Sequence, residues 1–141
     1  MNQILQLLKQ NIQDDARIFT EKADLVSYSF DASFGSYMPE YVVQPLTTEE
    51  VAAVIKLANT HKVPVYPRGQ GTSLSGGPLP VRGGIVLDLS RWTSKLEIDA
   101  ENMLAIVSPG VTAQAINDAA LLHGLIYPPD PSSMNIATIG G

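Results

Sequence analysis

Apolar residues recur at helical spacing at the start of the chain. Ile4, Leu5, Leu8 and Ile12 fall on one face, with polar side chains between them. The pattern predicts a short amphipathic helix over residues 2–13. Lys9 is its only cation, so the apolar face is expected to pack on its own domain and not on a membrane. From Asp14 to Pro39 the periodicity dissolves. Tyr28, Phe30, Phe34 and Tyr37 are irregularly spaced among polar residues, and the stretch reads as an extended linker whose aromatics dock on a core. Tyr41-Val42-Val43 is a short strand stopped by Pro45. Thr47 then opens a helix as N-cap, with Glu50 three residues later to complete a capping box and Leu46 placed to staple against Val51. Val51, Val54, Ile55 and Ala58 form its expected buried face. It ends near His61-Lys62, cations suited to a helix C-terminus, which makes His61 a solvated end residue and not a ligand.

Val63, Val65 and Tyr66 predict a short buried strand closed by Pro67. Gly84–Leu89 is apolar at successive positions, a strand buried on both faces as far as Asp88. Leu96–Ile98 and Met103–Val107 are two more, joined by the hairpin-like turn Asp99-Ala100-Glu101-Asn102. After Pro109-Gly110-Val111, Thr112 caps another helix, with Ala115, Ile116, Ala119 and Leu122 inward and Gly124 as its stop. His123 lies in its last turn and is read like His61; Trp92 is expected to pack beside the preceding loop. Strand–helix–strand early in the chain suggests a parallel pair and the later hairpin an antiparallel one. The class is α+β.

The bulk numbers narrow the function. At 141 residues the chain is one domain's worth, and 45% hydrophobic with 16% charged residues describes a folded protein. A net charge of −5 argues against nucleic acid or an acidic membrane as partner. It does not argue against a phosphate, because aimed N–H dipoles act at contact whereas net charge is screened. Cysteine is absent, which excludes disulfides and thiolate metal sites and agrees with a reducing cytoplasm. No apolar run approaches a membrane span, and the first residues lack the basic flank and cleavage site of a signal peptide.

The chemistry concentrates after Pro67, in Arg68-Gly69-Gln70-Gly71-Thr72-Ser73-Leu74-Ser75-Gly76-Gly77. Glycine permits positive φ and close approach to the main chain, and successive N–H groups in such a loop can converge on an anion. A triphosphate-binding loop needs GxxxxGK[ST], and no Lys follows these glycines before Lys95. The dinucleotide fingerprint GxGxxG starts at Gly69 and Gly71 but meets Leu74 at its third glycine, and Gly76, Gly77, Pro78 and Pro80 deny it the helix it requires. A plain turn needs only two to five residues, and this loop spends about ten, with hydroxyls interleaved. Farther on, Pro129-Asp130-Pro131 is stiff, since a residue before proline is biased to extended geometry, and it presents Ser132 and Ser133 at fixed positions.

The string Pro67–Gly77, together with Pro128–Ser133 and Ala137-Thr138-Ile139-Gly140-Gly141, resembles FAD-linked oxidases of the vanillyl-alcohol oxidase (PCMH-type FAD-binding) family. Within it the likeness is to the glycolate oxidase FAD subunit and D-lactate dehydrogenase group, and it runs from about Leu25 to the last residue. The resemblance implies the first half of a PCMH-type FAD-binding domain: a mixed parallel and antiparallel sheet with flanking helices, over residues 38–141, preceded by an N-terminal helix and segment over residues 1–37. It implies that Arg68, Gly69, Gln70, Gly71, Thr72, Ser73 and Gly76 wrap the FAD pyrophosphate, with Pro129, Asp130, Ser132, Ser133, Thr138, Gly140 and Gly141 along the flavin and its phosphates. Some relatives tether FAD through a His at the position of Thr72; Thr cannot form that bond, so FAD is expected to be non-covalent. The implied reaction removes hydride from the α-carbon of a small 2-hydroxy acid such as glycolate or D-lactate, with other oxidase subunits as partners. Family members are much longer, and their substrate domain lies beyond the stretch matched here. The alternatives are a flavin-binding module that needs a second polypeptide, and an inactive remnant.

Overall fold

A computed structural model describes residues 3–141. Its elements are α1 (Gln3–Asn11), β1 (Ile18–Phe19), α2 (Lys22–Leu25), β2 (Tyr41–Val43), α3 (Thr48–His61), β3 (Val65–Arg68), β4 (Ile85–Asp88), β5 (Leu96–Asp99), β6 (Leu104–Val107) and α4 (Ala113–Leu121). The main sheet has the order β1-β2-β4-β3, with β1 antiparallel to β2 and the other pairs parallel. The expected parallel strands β2 and β3 are both there, but β4 lies between them. The sequence gives a reason. All four residues of β4 are buried, which suits a central strand. β3 contains Pro67, whose missing N–H is tolerated at an edge, and β3 runs through that proline instead of stopping at it.

The segment from Asp14 to Pro39 is not an extended linker. Asp14 caps a 3₁₀ turn over Asp15–Arg17, β1 then pairs with β2, and α2 leads into a second 3₁₀ turn over Val26–Tyr28. Ile18 and Leu25 are buried. Of its aromatics, Phe19 and Tyr28 dock on Leu25, Val42 and Val86, whereas Phe34 is fully exposed. The N-terminal helix packs on its own domain as expected: Leu8 and Ile12 join Val54, Leu57, Ala58, Ile85 and Leu87 in the principal core.

Helix α3 begins as expected, with Thr47 Oγ1 accepting from Glu50 N at 3.2 Å. Its inward face is Val54, Leu57 and Ala58; Ile55 points outward, about half exposed, because Leu57 takes the place against the core. His61 is exposed. In α4, Thr112 Oγ1 accepts from Ala115 N, and Ala113, Ile116 and Ala120 are buried. Leu122 is exposed, not inward, since the helix ends at Leu121 and the chain turns away through Gly124, at φ +71°. Strands β5 and β6 form their own antiparallel pair, as the hairpin reading required, with Leu104 and Ile106 largely open to solvent.

Glu50 does not close the capping box on Thr47. Its carboxylate accepts from Leu46 N at 2.8 Å and from both terminal nitrogens of Arg17, at 2.7 and 2.5 Å. Both side chains are about nine-tenths buried. The hydrogen bonds from Arg17 are the main reason the Glu50 carboxyl is held down to about 2 from an ordinary 4.5. A carboxyl depressed in the folded state stabilises fully above its unfolded pKa and loses that contribution as pH falls through the folded one. The unfolding free energy from urea titrations should therefore decline as pH drops from about 4.5 towards 2, and this part of the decline should be missing in Glu50→Gln. Equal acid slopes in the two proteins would contradict the pairing.

Candidate functional site

β3 and β4 are parallel neighbours, so the chain leaving Arg68 must return to the opposite end of the sheet before it can start Ile85. Such a crossover is usually a helix. Here residues 69–84 make it without one. Gly71 sits at φ +71°, in the left-handed region that side chains disfavour. At Gly69 the need is for space: a Cβ there would overlap Thr138 Oγ1 and stand 2.9 Å from Gly141 Cα. The glycine loop and the last residues thus meet main chain to main chain.

Those last residues are pinned from the other side. Ala113 N donates to Ala137 O and Ile139 N to Val111 O, each at 3.0 Å, and Gly140 N donates to Pro109 O at 2.8 Å. A Cβ on Gly140 would come within 2.9 Å of Pro109 Cα. The preceding residues curl into a turn, with Met134 N donating to Pro131 O and Ala137 N to Ser133 O.

Between the two stretches lies a cavity of about 630 Å³. Gly69, Gln70, Gly71, Thr72 and Ser73 line one side of it, and Ser132, Ser133, Thr138 and Gly141 the other. Gly76, Pro129, Asp130 and Gly140 do not line it, and neither does Arg68. Arg68 borders a smaller adjoining cavity of about 470 Å³, together with Phe30, Asp31 and Ile136. Among the described residues, no charged side chain lines the larger cavity. Its polarity is that of main chain, hydroxyls and one amide. Among the described residues, no protein acceptor takes the N–H groups of Gly69 through Leu74, and Thr138 Oγ1 is buried with no partner. A lining of free N–H groups and hydroxyls can hold an anion with several oxygens.

A second polar cluster lies under the loop, and the sequence did not announce it. Asp88, at the end of β4, is 2% exposed, and its Oδ2 accepts from Tyr28 Oη at 3.0 Å and from Gln44 Nε2 at 2.7 Å. Burial first, and then the Asp88 charge, push the Tyr28 hydroxyl up to about 12. The Arg68 guanidinium stands 5.6 Å over the Tyr28 ring, and its Nη1 donates to Phe30 O at 2.8 Å. The one signal for this cluster was a carboxylate closing an otherwise apolar, doubly buried strand.

Known proteins share this sequence and fold. The FAD binding domain family matches residues 39–141. The chain is 47% identical over 116 residues to the glycolate oxidase subunit GlcD of Bacillus subtilis (strain 168), covering 81% of this chain and 24% of that protein. It is 44% identical over 127 residues to a D-lactate dehydrogenase of Archaeoglobus fulgidus, covering 90% of this chain and 27% of that one. Among solved structures, p-cresol methylhydroxylase with substrate bound superposes with a TM-score of 0.75 at 29% identity, over 88% of this chain and 25% of that one. The mixed sheet with flanking helices is thus a PCMH-type fold. The chain spans about a quarter of the length of the curated relatives it matches.

Proposed function

We propose, for a chain that belongs to the FAD binding domain family, that it is the cofactor-holding part of a flavin-dependent 2-hydroxy-acid oxidoreductase of the glycolate oxidase and D-lactate dehydrogenase group. One observation carries this reading: two stretches far apart in sequence, 69–74 and 132–141, enclose a single cavity with free N–H groups and an unpartnered buried hydroxyl. That lining suits a pyrophosphate. Gly69, Gln70, Gly71, Thr72 and Ser73 would hold it through main-chain N–H groups, and Thr138 Oγ1 would gain the partner it lacks. Ser132 and Ser133, fixed by the Pro131 turn, would orient the group from the far wall. The close main-chain contact of Gly69 and Gly141 would keep water out of the base of the site.

When bound, the flavin supplies an acceptor for the hydride on the α-carbon of the hydroxy acid. No His, Asp or Glu of the described residues lines the larger cavity. The relatives are about four times as long as the matched stretch, and their further polypeptide is proposed as the source of the proton acceptor and of the cations for the substrate carboxylate. Thr72 lines the cavity and offers no side chain for a covalent flavin bond, so the cofactor is held non-covalently. The cysteine-free composition suits a cytoplasmic enzyme. Among the described residues no helix is long and apolar enough to cross a membrane. Other oxidase subunits are proposed as partners, since the Bacillus relative is itself named a subunit. Leu104 and Ile106, open on the β5–β6 hairpin, also favour completion by further polypeptide.

The full-length protein carrying this sequence should purify yellow, release FAD into the supernatant on acid or heat treatment, and lose its flavin colour when glycolate or D-lactate is added without oxygen. A protein that takes up no FAD overturns the reading. Flavin that sediments with the denatured polypeptide overturns non-covalent attachment, and flavin untouched by either acid removes this substrate class.

A further inference from the structure

We propose that Arg68 serves the glycine loop from beneath, as an internal strut that fixes Gly71, and that Tyr28 and Asp88 are positioning residues that hold the strut. The proposal rests on reading the larger cavity as a flavin site, yet it assigns Arg68 no contact with the cofactor. Arg68 is 6% exposed and stays outside the lining of that cavity. Its guanidinium is held on one side by the carbonyl of Phe30 and on another by the face of Tyr28. The Tyr28 ring is fixed in turn at its hydroxyl end by Asp88, whose second oxygen accepts from Ser90 N at 2.9 Å. Contacts thus run from the end of the central strand, through an aromatic ring, to a planar cation.

The last link is to the loop itself. A Cβ on Gly71 would stand 2.7 Å from Arg68 Cζ, so the guanidinium occupies the space that a side chain at Gly71 would need. The loop is moulded on this flat group, and the N–H groups of Gly71 and its neighbours take their direction from it. Among the described residues no carboxylate comes within ion-pair distance of Arg68. A ring face and a carbonyl serve in its place, an environment that suits a delocalised guanidinium and not a compact ammonium.

Arg68→Lys, Arg68→Met, Tyr28→Leu and Tyr28→Phe in the full-length protein test the proposal. FAD affinity would be followed by flavin fluorescence at low and high salt, with circular dichroism to confirm that each variant is folded. Lys, Met and Leu should each weaken FAD binding by about tenfold or more, the change produced by about 1.4 kcal/mol. The loss should be equal at both salt concentrations. Tyr28→Phe keeps the ring and loses only the hydroxyl's links to Asp88 and Gln44, so its loss should be smaller than that of Tyr28→Leu. Wild-type affinity in Arg68→Lys, or a deficit in Arg68→Met that shrinks at high salt, would make Arg68 a direct phosphate cation and overturn the strut. Limited proteolysis with a broad-specificity protease reads the loop without flavin: cleavage between Gly69 and Ser75 should appear in Arg68→Met and not in wild type. If wild type binds no FAD but this difference appears, the strut stands and the flavin reading falls. If the loop is equally resistant in both, the strut falls.

Discussion

Gly71→Val should abolish flavin retention while leaving the fold in place. Gly71 sits at φ +71°, where a residue with a Cβ pays a steric cost of roughly 1–2 kcal/mol and a β-branched one more. The second penalty is larger. The new side chain would enter the space held by the buried guanidinium of Arg68, which could yield only by giving up its hydrogen bond to Phe30 O and its place over the Tyr28 ring. The loop must lift, and the free N–H groups of residues 69–74 move with it. None of these residues belongs to the principal core, so the sheet and α3 should keep their circular dichroism and their cooperative melting. Flavin content per polypeptide after gel filtration is the measurement. A variant that keeps stoichiometric flavin would show that the loop is only a turn.

Glu50→Ala should destabilise the fold by about 3–5 kcal/mol, because it strands a buried guanidinium without its partner. Arg17 would lose both hydrogen bonds to the carboxylate and keep only the one to Gln44 O at 2.9 Å. Leu46 N would lose its acceptor at the same time. The double variant Arg17→Met/Glu50→Leu removes both charges and should recover much of the loss, since replacing a buried pair with apolar residues is often close to neutral. Urea denaturation of the three proteins decides it. A double variant no more stable than Glu50→Ala would mean that the pair does more than satisfy itself.

Both loops of the candidate site could be read from the sequence because their composition is local: glycines and hydroxyls after a strand, prolines before a serine pair. What brings them together could not. The close approach of Gly69 to Gly141 depends on residues 137–140 folding back along Val111 and Ala113, hydrogen bonds that no periodicity encodes. The same limit hid Arg17–Glu50. Glu50 was legible as a capping residue, and the cation that claims it lies 33 residues earlier, in a stretch without pattern. Helices were placed well where a cap spoke, at Thr47 and Thr112, and less well where a face had to be chosen. Ile55 and Leu57 both suit the core, and only the packing of α1 decides between them. The strand order was half legible: the run at Gly84–Leu89 reads as buried on both faces, which suits a centre, and Pro67 suits an edge, but the early strand–helix–strand pattern pointed to β2 and β3 as direct neighbours.

The position of β4 has a consequence for biosynthesis. It is made after β2, α3 and β3, yet it is the neighbour of both strands, with Tyr41 and Val65 each in register with Ile85. A nascent chain that has not yet exposed Ile85–Asp88 to solvent outside the ribosome has no centre for its sheet, and β2 and β3 can find no common partner. The pairings made by β4 are long-range, so the entropy of closing them is met late, in a step that waits for β4. The segment that must close in that step is the glycine loop itself, since it is the connection from β3 to β4. There is no stage of synthesis at which the parallel strands are assembled and the loop is still open.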